Sequence, residues 1–308
     1  EINPRGVQSI PGALDDVTRV VQLYGSAMPA SDFTSFFAVR GGSPDQNLVV
    51  MDGIVIPNPY RLRLVMGGGM SIFNPAITKN VRLFVGGFPA EYGDFLSSVL
   101  EVNSRDGNPE QVSCMGSVNI LDATGVVEGP LLKNAGSWIF SARRTYFDMI
   151  ANKYAENQTA YPFTSDINAG IVLNLNKSNK LSLRLLRSTE ETKVTSDRYE
   201  PIAVEESSDI DLYSLTWSSI ISEKTTETVR LGVYNEKFDY MAETRAKFGT
   251  QSHGKYNSKM KTFSLREDFE YKINDNHWIN RGISFSRINS YLNFSPHSTT
   301  TIFARRLI

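Results

Sequence analysis

The chain has 308 residues, 41% of them hydrophobic and 21% charged, so it is a folding sequence and not a disordered one. A formal net charge of −1 supplies no field that would attract nucleic acid, and the single cysteine, Cys114, allows neither an internal disulfide nor a cysteine-based metal site. No stretch approaches 18 consecutive apolar residues, so no helix spans a bilayer.

The chain opens on Glu1-Ile2-Asn3-Pro4, which reads like the middle of a longer protein, and it carries no N-terminal export signal. A helix is expected first. Pro11 sits near its start, Leu14, Val17 and Val21 follow at helical spacing, and Asp15 and Asp16 fall in the first turn, where they suit the dipole. Short strands then alternate with Gly/Pro/Asn turns, at 38–40, 47–51, 81–85 and 98–103. Thirteen of the 22 glycines precede residue 110, and this change of composition sets the expected boundary. Residues 1–110 read as a compact α+β domain of ordinary size.

Residues 111–308 have another grammar: segments of about ten residues with strict period-2 alternation. Ile167, Ala169, Ile171, Leu173 and Leu175 share one face, against Asn168, Gly170, Val172, Asn174 and Asn176. Leu181, Leu183 and Leu185, then Tyr213, Leu215 and Trp217, then Val229, Leu231 and Val233 repeat the pattern, with Arg281 an exception near the end. Nine strands are expected, at 112–121, 123–131, 137–144, 166–176, 180–190, 209–221, 226–238, 260–273 and 277–290. A soluble antiparallel sandwich shows the same alternation. Strand length points elsewhere, because 9–11 residues cross hydrocarbon when tilted whereas ordinary strands average about 5–6.

The expected connections alternate as well. Residues 132–136, 177–179, 222–225 and 274–276 are tight; 145–165, 191–208 and 239–259 are long, and Tyr146, Phe147, Met149 and Ile150 suggest a short amphipathic helix in the first of these. Outer-membrane barrels have short periplasmic turns and long extracellular loops, which places the long loops outside and brings the first domain in from the periplasm. Nine strands would close to a cylinder only about 18 Å across, too narrow for a domain roughly 34 Å wide, whereas 22 strands would give about 44 Å. The expectation is an α+β plug domain followed by an incomplete antiparallel transmembrane β-barrel, nine strands of a 22-stranded whole.

The first half then becomes recognisable. Phe37-Ala38-Val39-Arg40-Gly41-Gly42-Ser43-Pro44-Asp45-Gln46-Asn47, followed by Val50-Met51-Asp52-Gly53-Ile54, resembles the plug of TonB-dependent outer-membrane transporters. So do Phe73-Asn74-Pro75 and Val81-Arg82-Leu83-Phe84-Val85-Gly86-Gly87-Phe88-Pro89-Ala90-Glu91-Tyr92-Gly93. The flavour is that of Bacteroidetes-type receptors, whose plug follows a carboxypeptidase-regulatory-like domain. The resemblance implies active import of a scarce solute (ferric siderophore, haem, cobalamin, glycan or peptide) across the bacterial outer membrane. It implies as partners the TonB–ExbB–ExbD complex, acting on a TonB box absent from this chain, the membrane lipid and a surface lipoprotein. The alternative is a plugged barrel serving as a surface receptor or scaffold without uptake.

No catalytic residue, metal site or cofactor is expected. His253, His277 and His297 lack ligand spacing, and Gly67-Gly68-Gly69 lacks the Gly-Lys-Ser/Thr of a phosphate loop. By the resemblance, Arg40 pairs with barrel glutamates and holds the plug; otherwise it is a surface arginine. Gly41, Gly42, Asp52, Gly53, Gly86, Gly87, Glu91, Tyr92 and Gly93 are expected to be architectural. Asn58, Tyr60, Arg61 and Arg63 lie on the stretch 57–69, expected to face the solute, with the two arginines suited to an anion; the other reading is a loop packed on the barrel wall.

Overall fold

The structure, a computed structural model, describes residues 16–22, 27–29, 34–65, 67–119, 121–131, 135–146, 159–160, 162–196, 202–245 and 251–297. The expected helix start at Pro11–Asp15 and the amphipathic turn at Phe147–Ile150 lie outside them.

Helix α1 is short, Val17–Val21. Asp16 is its N-cap, not a member of its first turn. The Asp16 carboxylate, buried, accepts from Thr18 N (2.8 Å), Thr18 Oγ1 (2.6 Å), Ser35 Oγ (2.9 Å), Ser71 N (2.5 Å) and Ser71 Oγ (2.9 Å). One side chain thus caps the helix and ties two distant segments to it. Strands β1 (Ala27–Pro29) and β2 (Phe37–Val39) pair with each other, as do β5 (Tyr60–Arg61) and β6 (Met70–Ser71). The domain's main sheet has the order β4 (Ile54–Val55), β3 (Asn47–Met51), β8 (Ser98–Ser104), β7 (Thr78–Val85), with β3 and β8 parallel. Asp52 (φ 50°) and Gly53 (φ 83°) turn β3 into β4 with Met51 opposite Ile54, the two positive φ values of a type I′ hairpin.

Nine antiparallel strands follow, each paired with the next: β9 (Ser113–Val118), β10 (Asp122–Pro130), β11 (Gly136–Thr145), β13 (Phe163–Asn174), β14 (Asn179–Ser196), β15 (Ile202–Ser222), β16 (Thr225–Arg245), β17 (Gln251–Asn274) and β18 (His277–His297). The two-residue β12 (Thr159–Ala160) adds to β14. Among the described residues β9 and β18 do not pair, so the sheet is open.

The strand positions match the alternation, but two expected long loops are corrected. Most of 191–208 and 239–259 is strand: β14 pairs with β15 from Asn179–Ser219 to Ser196–Ile202, and β16 with β17 from Thr225–Tyr271 to Arg245–Gln251. At 24 residues, β17 is about 80 Å long, twice what a membrane crossing needs.

The two faces differ as a soluble sandwich's would not. The N-terminal domain sits against the polar face, where Thr164, Asp166, Asn168, Ser188, Glu190, Glu206 and Glu236 are buried. The opposite face exposes Phe140, Ile167, Ile171, Leu183, Tyr213, Leu231, Phe263 and Leu265. These align across strands: Ile171 opposes Leu183, then Leu215, Leu231, Leu265 and Phe285 in turn. Apolar residues outside and polar ones inside is the arrangement of a membrane barrel. Arg281, the exception, lies over the Phe269 ring, 4.5 Å from its centroid. Where the wall touches the domain it turns apolar: Leu186, Ile210, Leu212 and Tyr234 join Val17, Phe37, Val49, Met51, Ile54, Ile72 and Leu100 in one core.

Candidate functional site

The residues from Asn58 to Val65 run along the inner wall, and four inward carboxylates grip them. β strands point successive side chains to opposite faces, so Asp166 of β13, Glu190 of β14, Glu206 of β15 and Glu236 of β16 all face the domain. Leu62, held at φ 54°, donates its N–H to Glu190 (2.9 Å), while Val65 N and Leu64 N donate to Glu206 (2.7 and 3.2 Å). Glu236 accepts from Asn58 Nδ2 (2.6 Å), Arg63 Nη2 (2.5 Å) and the Tyr234 hydroxyl (3.0 Å). Arg63 also lies 4.2 Å from the centroid of the Phe238 ring.

Asp166 is the centre of a buried triad. Arg61 of the domain pairs with one of its oxygens, and Arg143 of β11 bonds the other through Nε and Nη2, both at 2.7 Å. The side chains of Arg61, Arg143 and Asp166 are 1%, 3% and 0% exposed. Arg143 reaches on to the carbonyls of Phe73 and Ser71 (both 3.3 Å), and Arg61 Nε donates to Ser188 Oγ (3.1 Å). Burial, with Arg143 adding to it, pushes the Arg61 guanidinium down to about 9, so it stays charged at neutral pH.

A second set of contacts lies toward the short turns. Arg105 pairs with Glu128 of β10; Asp106 receives Lys180 Nζ (2.7 Å) and Arg184, which also donates to the Arg105 carbonyl (2.9 Å). Glu91 pairs with Arg266 of β17 (2.5 Å).

The expected site residues are placed as follows. Arg40 is exposed in a left-handed turn (φ 48°) and makes no ion pair with a described residue, while Arg63 and Arg105 pair with glutamates of the wall. Gly42 abuts Ser97 and Gln46, while Gly41, Gly86 and Gly87 have positive φ. Asp52 accepts from Ser104 N (2.8 Å) and Oγ (2.7 Å), and burial raises its pKa. Arg230 of β16 crosses the space a Cβ on Gly53 would fill. Tyr92 packs on Phe84 and beneath Arg266, and Gly93 faces open space. Tyr60 stacks edge-on against Phe36 (4.5 Å) and is buried. Arg61 does not face outward; it is locked to Asp166. Of the four residues on this loop, Arg63 is on the side of the aromatic wall formed by Phe238 and Tyr256, whose rings lie 5.8 Å apart. The gripping carboxylates escaped the sequence reading. Their only signal was a charged residue at an inward position of a period-2 strand.

No family model matches the sequence, and no curated protein does. Solved structures match it closely in fold. The ferric yersiniabactin uptake receptor FyuA from Yersinia pestis superposes with a TM-score of 0.62 at 10% identity, over 91% of this chain and 57% of that one. The P. aeruginosa receptor FpvA, bound to ferric pyoverdine, gives 0.66 at 14% over 94% and 42%; the ferric-catecholate import receptor Fiu from E. coli K12 gives 0.65 at 11% over 90% and 47%. These neighbours are uptake receptors, not enzymes, and the chain spans about half the length of each. A long antiparallel wall, apolar outside and polar inside, with a domain held on its inner face, is thus the fold of the TonB-dependent outer-membrane receptors.

Proposed function

We propose that the chain is the plug, residues 1–110, and the first nine strands, residues 111–308, of a 22-stranded TonB-dependent transporter of the bacterial outer membrane. The observation that carries this reading is the clamp: the 58–65 segment of the first domain is held by carboxylates from four successive strands whose outer faces are apolar. The long strand ends face outside, and the short turns face the periplasm. Solute meets Arg63 with Tyr240 and Tyr256 of the inner wall, an aromatic surface with one cation. A ferric chelate suits it, in keeping with the ferric cargo of the structural neighbours. TonB–ExbB–ExbD supplies the force, drawing on the proton-motive force to loosen the plug. The protein carries out no covalent chemistry.

The test is uptake of radiolabelled iron chelates by cells with and without the full-length gene. Uptake should need the gene, stop with a protonophore, and fall when Arg63 and Tyr256 are both replaced by Ala. Gene-dependent uptake that survives the protonophore removes the TonB-driven reading, and uptake that does not need the gene leaves a surface receptor or scaffold.

A further inference from the structure

The four inward carboxylates are not equally supplied with positive charge. Asp166 receives two guanidinium groups, from Arg61 and Arg143, and Glu236 receives Arg63. Glu190 and Glu206 receive none: among the described residues their hydrogen-bond partners are the backbone N–H groups of Leu62, Leu64 and Val65. Both glutamates are buried, 3% and 1% exposed. They are also neighbours. Thr192 stands directly opposite Glu206 across β14 and β15, and Glu190 lies two residues from Thr192 on the same face of β14, about 7 Å along the strand. Two negative charges this close in a corner closed to water are costly, since a buried charge needs a counter-charge and not hydrogen bonds alone.

The same corner holds oxygen atoms that no described group satisfies. Glu190 Oε2 accepts from Leu62 N (2.9 Å), but Oε1 is buried without a hydrogen-bond partner. Thr192 is 1% exposed, and its Oγ1 is buried and unpartnered as well. This hydroxyl carries no charge, so its isolation is independent of the two carboxylates, yet it sits at the position facing Glu206. The cations within reach are already engaged: Arg61 with Asp166 and Ser188, Arg63 with Glu236 and the Phe238 ring. Strands β14 and β15 lie in the interior of the sheet, with described strands paired on both sides. Glu190, Thr192 and Glu206 are therefore closed off by this chain alone.

We propose that a calcium ion binds between Glu190 and Glu206, held by Glu190 Oε1, a Glu206 oxygen and Thr192 Oγ1, with water completing its shell. The donors are all oxygens, with no imidazole or thiolate among them, which suits a hard cation. Calcium accepts irregular shells of about six to eight oxygens, whereas magnesium demands a near-ideal octahedron and gives up water reluctantly. Glu206 keeps capacity for the ion, because a carboxylate has about four acceptor sites and Leu64 and Val65 do not fill them. The ion supplies the missing positive charge. It also fixes Leu62 at φ 54°, a conformation that leucine keeps only where its surroundings impose it. With two carboxylates the site belongs among the weak calcium sites of extracellular modules, with a Kd of roughly 10⁻⁴–10⁻³ M. It requires only that the domain sit against the wall, and it stands whether or not the protein transports a solute.

The experiment uses the full-length protein in neutral detergent, stripped with EDTA and dialysed against radioactive calcium. The parent should bind one more calcium ion per chain than the Glu190→Gln, Thr192→Val variant. Glu191→Gln with Glu205→Gln, which removes two outward carboxylates from the same strands, should keep the parent's count. Hydrogen exchange reads the site in the parent without any substitution, so a variant that fails to fold does not decide the matter. Calcium at about ten times its Kd should slow exchange at the Leu62, Leu64 and Val65 amides about tenfold relative to EDTA, and leave the β8 amides unchanged. The proposal is overturned if the first variant binds as many ions as the parent, if the outward control loses the same ion, or if the three amides exchange equally in calcium and in EDTA. An infrared band of a protonated carboxyl in the calcium-loaded parent, lost in Glu190→Gln, overturns it too, because a proton then takes the place of the cation.

Discussion

Replacing Asp166 by Asn tests the clamp most directly, because the change keeps the shape and removes the charge. In the structure it leaves Arg61 and Arg143, both nearly inaccessible to water, without their shared carboxylate. Breaking a buried ion pair from one side costs about 3–5 kcal/mol, whereas an exposed pair costs about 1 kcal/mol or less. The two ranges do not overlap, so the size of the effect reports burial. Arg143 retains its carbonyl bonds to Ser71 and Phe73, which favours the lower part of the range. Hydrogen exchange at the Leu62 and Leu64 amides of the reconstituted full-length protein reads the local opening free energy. A loss of about 3–5 kcal/mol speeds exchange there by roughly two to three and a half orders of magnitude. Replacing Arg61 by Met in the same protein should recover part of the loss, since it removes one stranded charge. If Asp166→Asn shifts exchange by less than about tenfold, the triad is not what holds the segment and the reasoning fails.

Four further outcomes are expected. With Cys114→Ser as background, a water-soluble maleimide should label Lys261→Cys and Asn235→Cys but not Leu231→Cys or Leu265→Cys; labelling of all four would place the lipid boundary elsewhere. Gly232→Val should destabilise the seated domain by about 1–3 kcal/mol in thermal unfolding, because its Cβ would lie 2.6 Å from Ile54 Cδ1 and from Ser264 Oγ. Burial, reinforced by Glu101 and Glu91, raises the Tyr92 phenol to about 12. The unfolded chain, near 10, releases this proton first, so stability declines as pH climbs from about 10 to about 12; Tyr92→Phe should remove that part of the decline and the phenolate step near 12. Asp16→Ala should free the segments at 34–36 and 69–71 together, seen as joint proteolysis there, because one carboxylate binds Ser35, Ser71 and the α1 N-terminus.

Much of the wall was legible from period-2 alternation. All nine expected strands overlap observed ones, and the tight turns at 177–178, 223–224 and 275–276 fall between them. The upper halves of β14–β17 were read as loops because their outward residues turn charged, as in Glu191 and Lys193, while the inward ones become mixed, as in Phe238, Tyr240 and Thr192. Alternation of polarity fades there, yet the backbone ladder continues, since its hydrogen bonds do not depend on side-chain polarity. In the first domain the glycine and Asp-Gly turns were legible. The pairing of Arg61 with Asp166, 105 positions away along the chain by subtraction of their numbers, was not, because no local pattern distinguishes Asp166 from other inward polar residues.

By itself, the amino-acid sequence determined the order of the strands of this protein, the membrane-facing part of each, and that this part has one apolar and one polar face. Glycine content and turn chemistry also set the expected domain boundary near 110. Only the tertiary structure decided which face is the outside. A two-residue period is symmetric between faces, and the symmetry breaks when a domain with charged and hydrogen-bonding loops must be enclosed. The polar face then turns inward to clamp that domain, and the apolar face is left exposed at the depth of a membrane.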